Sequence, residues 1–498
     1  KCGEGGVREV RPVACAPGSD CPVVRLRRTP GSEYTTVADG FRRRRCAGML
    51  ARMSVYHCTP ASAPLDATVV VPGSKSLTNR ALIAAALADG TSVLRNALFA
   101  DDTLLMMEAL RTLGIAVTAD ERDCAVEVTG CNGHVPESGA DLFCGNSGTT
   151  IRFLSAMVAL GNGRFQLDGI ARMRKRPIGA LGEALQALGA GIEYPGTEGF
   201  PPMVVHARGL HGGHVAFDSP QSSQMVSALL LAAPYASRDV FIEVAGDVPS
   251  LPFLKMTTAV MDRFGVGVLE DYAGPGGDRT KRFIVEAPQR YQATTLTIEP
   301  DATNATYFFA AAAVAGGRVT VQGLGLDSVQ GDIGFVDVLE RMGCRVERET
   351  TRISVLAPPD GSSLRGIDID LNDMPDTVPT LAVLALFADS PTAIRNVANL
   401  RVKETDRLAA LHCELSKLGA VVEELPDGLI IHPPHRLTPA AIDTYEDHRM
   451  AMSFALAGLK CPGMVINDPQ CCAKTFPDFF ERFQRMIVAG SGPARGSS

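Results

Sequence analysis

The chain has 498 residues, too many for one ordinary hydrophobic core, so two or three globular units are expected. Hydrophobic residues make up 46% and charged residues 21%, the balance of a soluble protein, and no apolar run reaches the roughly 18–20 residues of a membrane span. The net charge of −7, with no basic stripe, argues against nucleic acid as a partner, although a few Lys and Arg converging in one cleft still make an anion site.

Residues 1–53 lack hydrophobic periodicity and hold Gly, Pro, Cys and the Arg42–Arg45 run. They read as a disordered N-terminal extension, with Met49 and Met53 as candidate starts. The alternative is a plastid transit peptide, since the segment is Arg-rich. Glu4, Glu9, Asp20, Glu33, Asp39 and the scarcity of Ser argue against it, so a cytoplasmic location is expected. The 13 cysteines are odd in number, scattered and without a CxxC pair, which fits reduced thiols and neither a disulfide framework nor a zinc site.

From residue 73 a pattern recurs six times: a polar head followed directly by an Ala/Leu-rich helix. The heads are Gly73–Arg80, Gly145–Arg152, Ser219–Gln224, Asp301–Thr306, Asp373–Asp376 and Glu446–Arg449, spaced roughly 70–80 residues apart. Short Val/Ile/Thr strands and amphipathic helices, such as Leu181–Leu188 and Leu408–Leu418, lie between them. The helices are apolar almost all round and should be buried. Their heads present free N–H groups and a positive dipole end, so heads converging on one cleft would bind phosphate or carboxylate. Plain N-capping explains the Ser, Thr and Asp of these heads. It does not explain Arg80, Arg152 and Arg449, cations placed against the dipole. Four further segments, Arg172–Arg176, Arg401–Arg407, Ala473–Asp478 and Asp447–Arg449, combine charged residues next to helix starts, which suits anion binding with proton transfer. The tail 488–498 is Gly/Ser-rich and reads as flexible.

Other motifs fail. The Gly73–Ser76 run resembles the end of a P-loop, but position 68 is Thr where the upstream Gly is needed. Gly323-Leu-Gly325 lacks the third Gly of a dinucleotide fingerprint, and no HExxH, EF-hand or GxSxG occurs. Neither metal nor cofactor is expected.

The segments PGSKSLTNRAL, GNSGTTIR, RMRKRPI, SSQMVSALLLAAP, NDMPDTVPTLAV, NLRVKETDR, EDHRMAM and AKTFPDFF closely resemble 5-enolpyruvylshikimate-3-phosphate synthases, in order and spacing, over about residues 60–485. The resemblance implies an α/β fold, a two-domain inside-out α/β barrel with three similar βαβαββ-type units per domain. It places residues 54–73 plus 300–487 in one discontinuous domain and 74–299 in the other, with crossings near Ser74 and Pro300. It implies transfer of the enolpyruvyl group of phosphoenolpyruvate (PEP) to the 5-hydroxyl of shikimate 3-phosphate, by addition and elimination of phosphate, in a monomer.

By the same resemblance, shikimate 3-phosphate is held by Lys75, Ser76, Arg80, Ser222, Ser223, Gln224, Ser250, Asp376, Asn399 and Lys403. Arg80 would pair with the ring carboxylate. PEP is held by Lys75, Asn146, Gly148, Arg172, Gln224, Arg407, Arg449 and Lys474, with Arg407 and Arg449 clamping its carboxylate. Asp376 would accept the 5-hydroxyl proton, Glu404 would act near C3 of PEP, and Lys75 and Lys474 would share the proton traffic. Gly148 would leave room for glyphosate, a PEP competitor. The chain departs from the family pattern at Phe153 (many members have Pro), Phe253 (Tyr expected) and Glu446 (Asn expected). The UDP-N-acetylglucosamine enolpyruvyl transferases are the nearest alternative. Their Ala-Lys-Asn head and loop Cys differ from the Ser-Lys-Ser head and the tandem Ser222-Ser223-Gln224 here. A non-catalytic anion-binding module would lack Asp376, Glu404 or Lys474, and all three are present.

Overall fold

The structure, a computed structural model, describes residues 55–246, 248–272 and 280–490. The extension expected at 1–53 lies outside the described residues. So does the tail from 491 onward, while the last helix, Phe479–Gly490, runs past the boundary expected at 488.

Each polar head opens a helix. These are α1 (Lys75–Leu87), α2 (Gly148–Val158), α3 (Ser223–Ala232), α4 (Ala302–Ala315), α5 (Val378–Leu384) and α6 (His448–Ala455). Every residue of α2, α4, α5 and α6 is buried, as the all-round apolar sequences require. Helices α1, α2 and α3 pack on one another, and α5 packs on α4 and α6.

Six small sheets of the described residues surround these helices, five of four strands and one of three. They share one plan. In the sheet of Gly139–Phe143, Asn162–Asp168, Gly191–Glu193 and Met203–Arg208, the first two strands are parallel. The fourth runs antiparallel to both the second and the third. Alternating burial gives each sheet one core face: Val215 and Phe217 are buried while Ala216 and Asp218 are exposed. Helices inside and sheets outside make the inside-out architecture.

Three strands complete sheets begun far away in sequence. Thr295–Thr297 pairs with Thr91–Arg95, Leu65–Val69 with Gly317–Gln322, and Val55–His57 with Val465–Asn467. The buried apolar residues accordingly form two cores, one drawn from residues 77–298 and one from 65–71 together with 302–487. The two chain segments that link the cores lie side by side. Gly73 bridges Pro300, the Ser74 N–H donates to the Glu299 carbonyl at 2.8 Å, and the Asp301 N–H to that of Pro72 at 2.9 Å. Position 73 must be Gly, because a Cβ there would lie 1.9 Å from the Asn96 carbonyl oxygen.

Candidate active site

Five of the six heads cap their helices with a side chain: Ser74, Ser147, Ser222, Asp301 and Asp447 each accept a hydrogen bond from an N–H of the first turn. The fifth helix, α5, has none and is entered through a tight turn at Pro375–Thr377 that presents Asp376. Capping is therefore present, and the cations of the heads still require a separate account.

For Arg449 that account is one continuous ion network along the face between the two cores, which also takes in Lys75. Lys75 and Lys474 both meet the Asp102 carboxylate, at 3.3 and 2.6 Å. Lys474 lies 3.7 Å from Glu404, which also faces Arg407 at 2.9 Å and Arg176 at 3.8 Å. Arg407 continues to Asp447 at 2.7 Å and Asp376 at 3.0 Å. Asp376 in turn holds Arg449 at 2.8 Å and Lys403 at 3.8 Å. Six cations thus share four carboxylates, leaving positive charge unmatched in a buried place. Such an excess of cations suits an anionic ligand.

The same charges set the protonation states. Burial alone would raise the Glu404 carboxyl, but the Arg176, Arg407 and Lys474 cations outweigh it and hold it well below the usual carboxylate range. For Asp376, burial is likewise overcome by Arg449, Lys403, Arg407 and Lys75, and its carboxyl is strongly depressed. His448 is buried among Arg449, Lys75 and Arg407, so its imidazole is held neutral.

A second pocket, of about 280 Å³, lies between Arg152, Arg176, Ser222, Gln224 and Lys403. Arg152 donates to Gln224 Oε1 at 2.7 Å, and Arg176 to the Asn146 carbonyl at 2.8 Å. The same carbonyl accepts from Lys474 at 2.8 Å. Gly148 abuts both arginines: a Cβ there would stand 2.7 Å from Arg152 and 2.7 Å from Arg176. Contacts across the face hold the two cores together, Asp102 to Lys474 and the Arg172 guanidinium to the Lys403 carbonyl at 2.7 Å.

Not every expected residue reaches these pockets. Arg80 is fully buried and faces inward; Nε donates to Thr257, and the terminal nitrogens to the Ser76 carbonyl, Ser227 and the Phe253 carbonyl. The rings of Phe153 and Phe253 lie 5.2 and 5.8 Å from its guanidinium carbon, so two departures from the family pattern meet on one cation. Ser250 adopts φ 63° and donates its N–H to the Asn372 carbonyl of the other core. Ser223 is buried in α3, and Asn399 has a buried Oδ1 without a hydrogen-bond partner. Ser76 lines a third space, of about 330 Å³, with Lys75, Phe253 and Arg449.

Sequence reasoning missed Asp102 altogether, and it flagged Arg152, Asp447 and the Arg172–Arg176 run as charged segments without giving Arg152, Arg176 or Asp447 a role in the site. The short turn at Met173–Lys175 splits that run, turning Arg176 into the buried face, with Arg174 left on Asp168. The third departure, Glu446, sits at φ 56° after Tyr445 at φ 54°, the left-handed region that suits Asn. Among the described residues no cluster could hold a metal ion and no helix is long and apolar enough to cross a membrane.

The inside-out architecture and the cation-rich face between two cores are those of enolpyruvyl transferases. A solved EPSP synthase from Acinetobacter baumannii superposes with a TM-score of 0.72 at 26% identity, covering 87% of this chain and 98% of that one. The enolpyruvyl transferase NikO of Streptomyces tendae has the same fold, with a TM-score of 0.66 at 19% identity over 87% of this chain and 97% of its own. The sequence model of EPSP synthase (3-phosphoshikimate 1-carboxyvinyltransferase) matches residues 60–483. The 3-phosphoshikimate 1-carboxyvinyltransferase of Nostoc punctiforme is 51% identical over 424 residues, 85% of this chain and 97% of that protein. The chloroplastic enzyme of Petunia hybrida is 46% identical over 434 residues, 84% of this chain and 83% of that protein. The chain belongs to the EPSP synthase family.

Proposed function

We propose that the chain transfers the enolpyruvyl group of PEP to the 5-hydroxyl of shikimate 3-phosphate, releasing phosphate, a step of aromatic amino-acid biosynthesis. The observation that carries this reading is the ion network with its excess of buried cations. It suits two substrates that each bring a phosphate and a carboxylate. Lys and Arg supply all the counter-charge, so the reaction needs neither metal nor cofactor.

Asp376 and Glu404 pair with cations that substrate anions take when they bind. The PEP carboxylate, arriving at Arg407 and Arg449, displaces Asp376 from both. Freed of two of its cations, Asp376 becomes basic enough to take the 5-hydroxyl proton. The 5-oxygen then bonds to C2 of PEP while C3 gains a proton and becomes a methyl group. Because Glu404 starts ionised, the proton comes from the Lys474 ammonium, 3.7 Å away. Glu404 acts in the second half, removing a methyl proton as the C2–O bond to phosphate breaks. Asn146, Gly148, Arg172, Gln224 and Lys75 surround the PEP phosphate. Ser222, Gln224 and Lys403 hold shikimate 3-phosphate, with Ser76 at its ring. The preorganised cations stabilise charge developing on PEP. The enzyme works as a monomer in the cytoplasm, and glyphosate competes with PEP.

Phosphate release from PEP that requires shikimate 3-phosphate is the expected result with purified protein. Release driven by UDP-N-acetylglucosamine, or by neither acceptor, refutes this reading.

A further inference from the structure

Two acidic residues among the described ones are 0% exposed: Asp447, which belongs to the ion network, and Glu414, which the proposed reaction does not use. A carboxylate so deeply buried is costly unless it is fully paired. Glu414 is paired on both oxygens. Its Oε1 accepts from the Tyr445 hydroxyl at 2.6 Å. Its Oε2 accepts from the Asp443 N–H at 3.1 Å and meets the Lys417 ammonium at 2.8 Å. Lys417 also holds the Asp443 carboxylate at 2.8 Å, and the other oxygen of that carboxylate accepts from Asn467.

These bonds converge on the turn that precedes the sixth head. Tyr445 and Glu446 stand at φ 54° and 56°, a left-handed pair without glycine. Side chains disfavour that conformation, and it persists only where the surroundings hold it. Directly after it, the Asp447 N–H returns to the Thr444 carbonyl at 2.9 Å, and Asp447 caps α6 by accepting from the Arg449 N–H at 2.9 Å. The direction in which Arg449 leaves the turn therefore depends on the conformation that Glu414 holds.

Glu414 also lies on the helix Arg407–Lys417, about two turns beyond Arg407. Asp447 grips Arg407 at 2.7 Å. Helix and turn are thus joined twice, by Arg407 and Asp447 at the site and by Glu414 and Tyr445 farther along. The first pair alone would act as a pivot, and the second fixes the angle. We propose that Glu414 is a positioning residue for the PEP carboxylate clamp: it sets Arg449 and Arg407 relative to each other through the turn Asp443–Glu446. This rests on the transfer reading above, which gives those two arginines to the PEP carboxylate.

The test uses two variants of the full chain. Glu414→Gln keeps the shape but brings an amide N–H₂ among donors, and Tyr445→Phe removes one hydroxyl from a residue 39% exposed. KM for each substrate, kcat and the urea midpoint are measured, and PEP binding without acceptor is followed by calorimetry. KM for PEP should rise about tenfold in Glu414→Gln and about threefold in Tyr445→Phe. KM for shikimate 3-phosphate should stay within twofold, and kcat should fall less than KM for PEP rises. Asn favours the left-handed backbone, so adding Glu446→Asn to Glu414→Gln should return part of the lost KM. No recovery would remove the turn as the link. A lower urea midpoint with both KM values unchanged, or an equal rise in both, overturns the proposal and leaves Glu414 a merely structural residue. If Glu414→Gln does not fold, Tyr445→Phe decides: a KM for PEP within twofold of the wild type overturns the proposal. A wild type that binds PEP but turns over neither acceptor removes the transfer reading, and weaker PEP binding in the variants would still uphold the positioning.

Discussion

Replacing Gly148 by Ala is the smallest change that should disturb the centre of the site. The added methyl carbon would lie 2.7 Å from a terminal nitrogen of Arg152 and 2.7 Å from one of Arg176, where ordinary contact begins at 3.4 Å. Both guanidiniums must withdraw by about 0.7 Å. Neither can do so freely, since both are buried and hydrogen-bonded, Arg152 to Gln224 at 2.7 Å and Arg176 to Asn146 at 2.8 Å. A shift of that size stretches one such bond past its useful range, and a hydrogen bond to a charged group is worth about 1.5–3 kcal/mol. KM for PEP should therefore rise roughly 10- to 100-fold, with kcat less affected and glyphosate inhibition weakened in parallel. Steady-state kinetics at saturating shikimate 3-phosphate measure it. A KM for PEP within twofold of the wild type would refute the argument that these arginines are held against Gly148.

Asp376→Asn removes the proposed base, so kcat should fall by roughly 10²–10⁴-fold. KM for PEP should not rise, because the carboxylate that competes for Arg407 and Arg449 is gone; a retained kcat would exclude Asp376 as the base. Asp102→Ala strips Lys75 and Lys474 of their shared partner, and kcat/KM for PEP should drop at least about tenfold. Activity unchanged in that variant would mean that Asp102 does not position the two lysines. Glu446→Asn suits the left-handed backbone at that position and should raise stability by about 1 kcal/mol in urea unfolding; a destabilised variant would contradict it.

The six helices were legible because their signals are local. A capping residue and an Ala/Leu run lie within a dozen positions of each other, and burial on all sides shows as an absence of polar residues. The repeat pointed to two domains of three units, and the inside-out plan came from the family resemblance. The ion network was only half legible. Lys75 and Arg449 sit in conspicuous heads and Arg407 ends the mixed-charge run Arg401–Arg407, but Asp102 reads as an ordinary acid in the first turn of the helix Asp101–Thr112. Its meaning comes from Lys474, 372 residues away. The inward turn of Arg80 was equally hidden, because it depends on Thr257, Ser227 and two aromatic rings from three other helices. Sequence pattern marks which groups are charged; tertiary packing decides which way they face.

The paired crossing of the chain at Gly73 and Pro300 bears on how the molecule is made. Strands Val55–His57 and Leu65–Val69 leave the ribosome early, yet their partners are Val465–Asn467 and Gly317–Gln322. The intervening core, residues 77–298, is contiguous and complete before either partner exists. At about 5–20 residues per second, the first strand waits on the order of 20–80 s for its neighbour. During that time its unpaired edge is a template for wrong pairing. The nascent chain, with one finished core and two orphan strands, is therefore the form of this protein most open to aggregation and most in need of chaperones.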